Sequence, residues 1–405
     1  MTSKRIAIIG AGPIGLEAAL FARLRGFEVV ILEKKSLAAN VRSWGHVRLF
    51  SPFGINSSQW GRGALSELTL PDDDALLTGV EFFERYLLPL SQHSLLDGCL
   101  RERVQVVTIG KRQFWKGDSI GNSSRLSAPF QLLTETTDGD EEFLEADLVL
   151  DCSGTFGNHN WLGEGGIPAR GERELGQHIE YSLPDITGKD RDRYVGRETL
   201  LVGSGYSAAT AVVALAELAR DDPRTKTWWL TRRQSELPLP AIPGDTLSGR
   251  VELTQQANAI ATAPDSGVTW LPASHVRQLT RKNDGQLAVA IESRAEQGEI
   301  ACKSLEVHNV VANVGTHPDR SLYEELQIHE CYASQGPMKL AAALIGESSS
   351  DCMTQQSPGQ DTLKNPEPGF FILGSKSYGR DSRFLLRIGL DQIQSVFELI
   401  AAEAE

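Results

Sequence analysis

Two glycine-rich turns constrain this chain more than any other feature. Gly10-Ala11-Gly12-Pro13-Ile14-Gly15 stands between an apolar run at 6–9 and an Ala/Leu-rich segment at 16–24. Gly203-Ser204-Gly205-Tyr206-Ser207-Ala208 stands between an apolar run at 199–202 and a second Ala/Leu-rich stretch at 209–218. Each reads as strand, tight turn and helix, the arrangement that seats a diphosphate on a helix N-terminus. The first glycine permits the turn, the second lets backbone approach phosphate, and the third lets helix pack on strand. Ala208 is an allowed residue at that third position. One such unit binds one dinucleotide. Two in one chain point to electrons passing from one dinucleotide to another.

The residues that follow the two turns differ in charge. The second strand of the first unit, 28–32, runs into Glu33, about where an acidic side chain meets a ribose hydroxyl. A carboxylate there repels a 2′-phosphate, so FAD or NAD fits and NADP does not. The corresponding strand of the second unit, 226–231, runs into Arg232-Arg233. A guanidinium fork suits a 2′-phosphate, which places NADPH ahead of NADH. The plainer reading of Arg232 and Arg233 is a solvated basic strand end.

The remaining sequence restricts the setting. A length of 405 residues accommodates two or three domains, and a net charge of −13 disfavours nucleic acid and anionic membranes as partners. No stretch approaches the roughly 20 apolar residues needed to span a bilayer. The N-terminus leads straight into a strand without a secretory pattern, so a cytoplasmic location is expected. Cys99, Cys152, Cys302, Cys331 and Cys352 are an odd number without a C-x-x-C pair, which fits free thiols in a reducing compartment. No histidine has an i, i+4 partner or a carboxylate-rich neighbourhood in sequence, so no metal site is expected. No G-x-S-x-G turn suggests hydrolysis.

Periodicity and breakers predict strands at 4–9, 28–32 and 103–109, a helix at 14–25 closed by Gly26, and a helical stretch at 79–91. A hairpin is expected between 128–135 and 142–150, with an apolar strand from Asp147 that breaks at Cys152-Ser153-Gly154. Residues 155–195 read as a crossover into the second unit, whose helix is expected at 207–220. A β-rich stretch at 268–300 and an apolar strand at 307–315 follow. Residues 346–368 read as a surface loop, 369–374 as a strand and 384–402 as a long terminal helix. The segment 40–61, with Trp44-Gly45-His46-Val47-Arg48, reads as an ordered loop.

With these motifs the chain resembles the two-dinucleotide-domain flavoproteins, in particular their flavin-containing monooxygenase-like branch, related to the pyridine nucleotide-disulfide oxidoreductases. The resemblance runs over nearly the whole length. It implies an α/β fold of two Rossmann-like domains, each of three layers (ββα). The FAD domain would be discontinuous, 1–155 and 316–405, with an NAD(P)H domain inserted at 156–315. FAD would be held by Gly10, Gly12, Pro13, Ile14 and Gly15, by Glu33 and Lys34 at the strand end, and by Val106. Ser153-Gly154 and Gly315, at two Ala-Thr-Gly-type chain crossings, and Gly374, at the end of a late strand, complete that set. NADPH would be held by Gly203, Gly205, Tyr206, Ser207, Ala208, Arg232 and Arg233.

The family order aims the amides of the terminal helix at the flavin, with Arg383 and Arg387 adding positive field. Trp44, His46 and Arg48 are the candidate catalytic residues. Trp44 would wall the ring, His46 donate to flavin or substrate, and Arg48 hold a phosphate or carboxylate; Trp44 and Arg48 thus also count as cofactor contacts. Trp44, Phe50, Phe53, Trp60 and Trp161 would help line a dry pocket. The implied activity is reduction of FAD by NADPH, then O₂ activation and monooxygenation of a small organic molecule. Two departures matter. The F-x-G-x-x-x-H-x-x-x-(Y/F) signature is approximated only by Gly171…His178…Tyr181, with altered spacing, and Gly374-Ser375 replaces the usual Gly-Asp. A reductase of a disulfide, quinone or other organic acceptor is therefore the alternative, without a C-x-x-C relay, although Cys331 and Cys352 flank 336–345 and could meet. A non-catalytic flavoprotein sensor is a third reading. The substrate and the oligomeric state, a homodimer included, are not legible.

Overall fold

The computed structural model describes residues 4–294, 299–346 and 359–402. Cys352 and most of the 346–368 stretch lie outside the described residues. The chain divides into two units, Met1–Asn158 with His317–Glu405, and His159–Thr316.

The first unit is built on five parallel strands. β1 (Arg5–Ile9), β2 (Glu28–Glu33), β3 (Leu100–Glu102), β7 (Leu148–Asp151) and β16 (Phe370–Ile372) stand in the order β16-β7-β1-β2-β3. Three antiparallel strands, β4 (Val104–Lys111), β5 (Phe130–Thr136) and β6 (Glu141–Ala146), form a second sheet. Period-two alternation explains why both faces of the parallel sheet are apolar. Ile6 and Ile8 join the core that contains the helix Pro13–Leu24 and the terminal helix Leu386–Ala402. Ala7 and Ile9 point the other way, into the core shared with Val106, Phe130 and Leu132 of the three-stranded sheet. The result is helix, parallel sheet and antiparallel sheet in three layers.

The second unit repeats this plan. β9 (Glu198–Val202), β10 (Lys226–Leu230), β11 (Val268–Leu271), β15 (Asn309–Ala312) and β8 (Ile179–Glu180) are parallel, in the order β11-β10-β9-β15-β8. β12 (Ser274–Arg281), β13 (Leu287–Arg294) and β14 (Ile300–Val307) make the antiparallel layer. Leu200 and Leu230 face that layer, whereas Leu201 and Trp229 face the helices Tyr206–Asp221 and Ser248–Thr262. The fifth strand has a different origin in each unit: β16 comes after the rest of its sheet, β8 before it.

The structure corrects some expected elements. The strand expected at 142–150 is two strands divided at Asp147, β6 in the antiparallel sheet and β7 in the parallel one. Asp147 makes the break because its carboxylate accepts the Arg5 N–H at 2.7 Å, tying the chain into the neighbouring sheet. The strand expected at 307–315 likewise divides, since β14 ends at Val307 and β15 begins at Asn309. The helix Ser248–Thr262 has a weak signal because its buried face includes Arg250 and Thr254 beside Ala257. A bidentate bond to Asp245 at 2.6 Å makes Arg250 compatible with that burial. β3 and β8 are too short to show an alternation. The expected helical stretch at 79–91 is continuous, with one π-helical turn at Phe83–Leu87.

Candidate functional site

The first turn is shaped by two kinds of glycine. Gly10 sits at φ +99°, and a Cβ there would lie 2.8 Å from the Cys152 carbonyl oxygen. A Cβ on Gly15 would overlap the Gly10 carbonyl. These two glycines are required by the packing of the protein itself. Gly12 is different, because nothing lies within 4 Å of where its Cβ would be. It occupies the N-cap of the helix Pro13–Leu24 without any side-chain cap. An uncapped helix N-terminus facing open space is what a diphosphate needs. Glu33, half-buried at the end of β2, accepts the Ala11 N–H at 2.9 Å and the Lys35 N–H at 2.9 Å. The carboxylate is thereby fixed beside the turn, and Lys34 next to it is exposed.

Distant segments converge on this helix end. A Cβ on Gly374 would meet Ile14 at 3.4 Å, one on Gly389 would overlap Ile14, and one on Gly154 would meet Ser375 Oγ at 3.4 Å. The turn, the end of β7, the segment after β16 and the first turns of the terminal helix thus share one place. Gln392 from that helix accepts the Gly374 N–H at 2.9 Å and donates to Ser377 Oγ at 2.9 Å. Below the turn lies an ion pair not anticipated from sequence. Asp151 and Lys376 meet at 2.6 Å with both side chains fully buried. Ser153 Oγ donates to Asp151 at 2.6 Å and accepts from Lys376 Nζ at 3.0 Å. Arg383 is engaged by Asp381 at 2.6 Å and by the Leu344 carbonyl, and Arg387 stands close enough to Asp391 to act on its carboxyl. Val106 directs its side chain into the core between the two sheets.

A buried carboxylate anchors the helix behind the turn. Glu17 accepts from Ser58 N–H at 3.0 Å, Ser58 Oγ at 2.6 Å and Tyr86 Oη at 2.5 Å. Burial raises its pKa, with these donors acting in the opposite direction. The loop containing Trp44, His46 and Arg48 is pinned to 76–80. Gly79 N–H donates to Val47 at 2.9 Å, Val80 N–H to Gly45 at 2.9 Å, and the Arg48 guanidinium to the Leu76 carbonyl. The indole of Trp44 lies against Gly79, where a Cβ would come within 2.7 Å of the ring. His46 Nε2 is buried and has no hydrogen-bond partner among the described residues. Phe53 belongs to the core, and Trp60 is half-buried against it. Phe53 is 1 % exposed, with its ring 5.3 Å from Tyr86, and Trp60 packs on Phe21 at 4.7 Å. Trp161 belongs to the other unit.

The second turn uses the same backbone device. Gly203 sits at φ +142°, its carbonyl accepts from Trp229 Nε1 at 2.8 Å, and a Cβ on it would overlap the Asn313 carbonyl. Ala208 is fully buried against it. Gly205 has nothing within 4 Å of its Cβ position and caps the helix Tyr206–Asp221 without a side-chain bond. Tyr206 opens that helix with its ring 5.9 Å from the Arg250 guanidinium, and Ser207 is exposed. Arg232 and Arg233 are exposed and have no ion-pair partner among the described residues. Gly315 lies past the end of β15, its carbonyl accepting the Asn160 N–H at 2.9 Å.

Within the altered monooxygenase signature, Glu172 and Tyr181 bond to the surrounding chain. Glu172, fully buried, accepts from Leu162 N–H, Ala169 N–H and Tyr181 Oη at 2.7 to 2.9 Å. His178 is half-buried in a 3₁₀ turn. Burial pushes the Cys99 and Cys152 thiols up, which makes them inert. Cys331 is lowered by the Ser334 hydroxyl and by the Ser334 and Ala333 amides. Carboxylates that are remote in sequence stand beside one histidine in space: His275 lies between Glu164 and Glu292.

No family model matches the chain. Among solved structures it is similar to bacillithiol disulfide reductase Bdr (YpdA) from Bacillus cereus, with a TM-score of 0.70 and 16% identity, covering 99% of this chain and 100% of that one. It is similar to the FAD-bound cadaverine monooxygenase DfoA from Erwinia amylovora, with a TM-score of 0.62 and 14% identity over 99% of this chain and 95% of that one. A third likeness is to thioredoxin reductase from T. acidophilum, with a TM-score of 0.60 and 16% identity over 98% of this chain and 100% of that one. The α/β fold with two Rossmann-like units expected from the motifs is the fold of these proteins.

Proposed function

We propose that this chain is an FAD-dependent oxidoreductase that draws its electrons from NADPH. FAD is assigned to 1–155 with 316–405, and NADPH to 156–315. One observation carries the reading: Gly12 and Gly205 each stand at an uncapped helix N-terminus with empty space where a side chain would be. Bound FAD would supply the redox-active ring, and the protein supplies binding, orientation and charge.

The amides of the 10–15 turn hold the FAD diphosphate and Glu33 takes a ribose hydroxyl. Ser153, Gly154 and Gly374 wall the site, together with the amides at the start of the terminal helix and Arg387. Lys34 offers a cation and Val106 its backbone. Trp44 closes one side. His46, whose buried Nε2 has no hydrogen-bond partner among the described residues, would turn that ring nitrogen to flavin or substrate, and Arg48 is the anion-binding group of that loop. In the second unit Gly203, Gly205, Tyr206, Ser207 and Ala208 form the diphosphate seat for NADPH, and Arg232 and Arg233 take the 2′-phosphate. Gly315 lets the chain leave β15.

The first reading of the acceptor is O₂, with monooxygenation of a small organic molecule. The likeness to the cadaverine monooxygenase supports it. The second is reduction of an organic acceptor such as a disulfide or quinone, favoured by the likeness to the bacillithiol disulfide reductase. Oxygen stoichiometry separates them. Coupled consumption of NADPH and O₂ with an oxygenated product supports the first. Anaerobic NADPH turnover with a disulfide or quinone supports the second. FAD that NADPH cannot bleach contradicts both.

A further inference from the structure

The geometry points to a divalent-cation site of the zinc class in the His159–Thr316 unit, formed by Glu164, His275 and Glu292. The ligands come from three places in the sequence. His275 and Glu292 are direct cross-strand partners on β12 and β13, and Glu164 opens the 3₁₀ turn Glu164–Gly166. One ring nitrogen and one oxygen from each carboxylate lie within 4.8 Å of one another. His275 is 9 % exposed, and its Nε2 is sealed from solvent without a hydrogen-bond partner among the described residues. A buried ring nitrogen aimed between two carboxylates needs either a proton or a metal.

The spacing favours the metal. Nε2 stands 3.4 Å from Glu164 and 3.7 Å from Glu292. A charge-assisted N–H···O bond is about 2.7–2.9 Å long, so both gaps are too wide for an imidazolium donor. For metal–ligand bonds of about 2.0–2.1 Å, the edge of a tetrahedron is about 3.3–3.4 Å, close to what is seen. The other oxygen of each carboxylate is held from behind. Arg294 reaches Glu164 at 2.9 Å and Arg277 reaches Glu292 at 3.2 Å. Such outer partners orient ligating carboxylates. Glu164 is exposed, which leaves the fourth position to water. The cation would clip the 164–166 turn to the antiparallel sheet, a structural role independent of the dinucleotides.

The test uses the full chain with Cys302→Ser, Cys331→Ser and Cys352→Ser, so that thiols do not capture the metal. The probe is Zn²⁺, followed by desalting, metal analysis and thermal melting. The expected result is one zinc per chain and a raised melting temperature. His275→Ala should lower zinc affinity at least about 100-fold, because even an outer partner is worth about 10–100-fold. Glu292→Gln, which keeps the side-chain volume, should do the same if His275→Ala does not fold. Substoichiometric zinc in the parent, or affinity unchanged in either variant, would overturn the site.

Discussion

The two glycine turns share a backbone and differ in everything attached to it. Each has a left-handed glycine locked by a neighbouring strand, and each has a second glycine facing open space. At the first turn a half-buried carboxylate bonds back to the turn amide, whereas two exposed arginines, without an ion-pair partner among the described residues, follow the corresponding strand of the second. The supports differ as well. The first helix buries Glu17, and the parallel sheet of that unit carries the buried Asp151–Lys376 pair at the end of β7, while the helix Tyr206–Asp221 buries only alanine, valine and leucine. On the proposed reading this is a division of labour: the turn would supply general affinity for a diphosphate, and the strand end would set which dinucleotide fits.

The sharpest way to break this comparison is to fill each open glycine. Gly12→Asp should abolish FAD binding and leave NADPH binding intact, and Gly205→Asp should do the reverse. Both proteins should fold, since neither new Cβ meets an atom. Gly15→Ala should instead unfold the first unit, because its Cβ would overlap backbone. Cofactor content, isothermal titration and circular dichroism would separate these outcomes. A Gly12→Asp protein that remains fully loaded would remove the assignment.

The next effect concerns the supports. Lys376→Met leaves Asp151 charged and buried without its partner, a cost of about 3–5 kcal/mol. Asp151→Asn with Lys376→Met should recover most of it. Hydrogen exchange should place the loss in the first unit, and equal loosening of both units would contradict the contrast drawn here.

Both glycine turns, the strand-end charges and the helices behind them were legible in the sequence, because glycine position and hydrophobic period report local geometry directly. The supports were not legible. Asp151 and Lys376 are 225 positions apart in sequence and meet only through β7 and the segment after β16. The burial of Glu17 depends on the arrival of Ser58 and Tyr86 from distant segments. Phe53 misled in the opposite direction: an aromatic residue in a glycine-rich loop resembles a pocket wall but closes the core. The His275 cluster escaped because cross-strand pairing, not helical spacing, brings its members together.

Smaller changes sharpen the comparison. Arg232→Ala with Arg233→Ala should raise KM for NADPH roughly 10- to 150-fold per lost contact, at about 1.5–3 kcal/mol each, and hardly change KM for NADH. Equal effects on the two would remove the 2′-phosphate argument. The least effect is a slope with pH. Because the folded-state pKa of Glu17 is raised, its contribution is neutral below the unfolded value of about 4.3 and becomes destabilising as pH rises towards the folded pKa. Glu17→Gln should flatten that part of the stability curve in the first unit. A curve with the same slope in the variant would show that Glu17 is ionised in both states.

The central claim is that two separate seats hold two dinucleotides, one for a flavin and one for reduced nicotinamide. Anaerobic titration of the purified protein with NADPH, followed by the visible flavin absorption, tests it most directly. The account predicts one FAD per chain and complete bleaching by one equivalent of NADPH. Colourless protein that takes up no added FAD, or yellow protein that NADPH leaves unchanged, would contradict it.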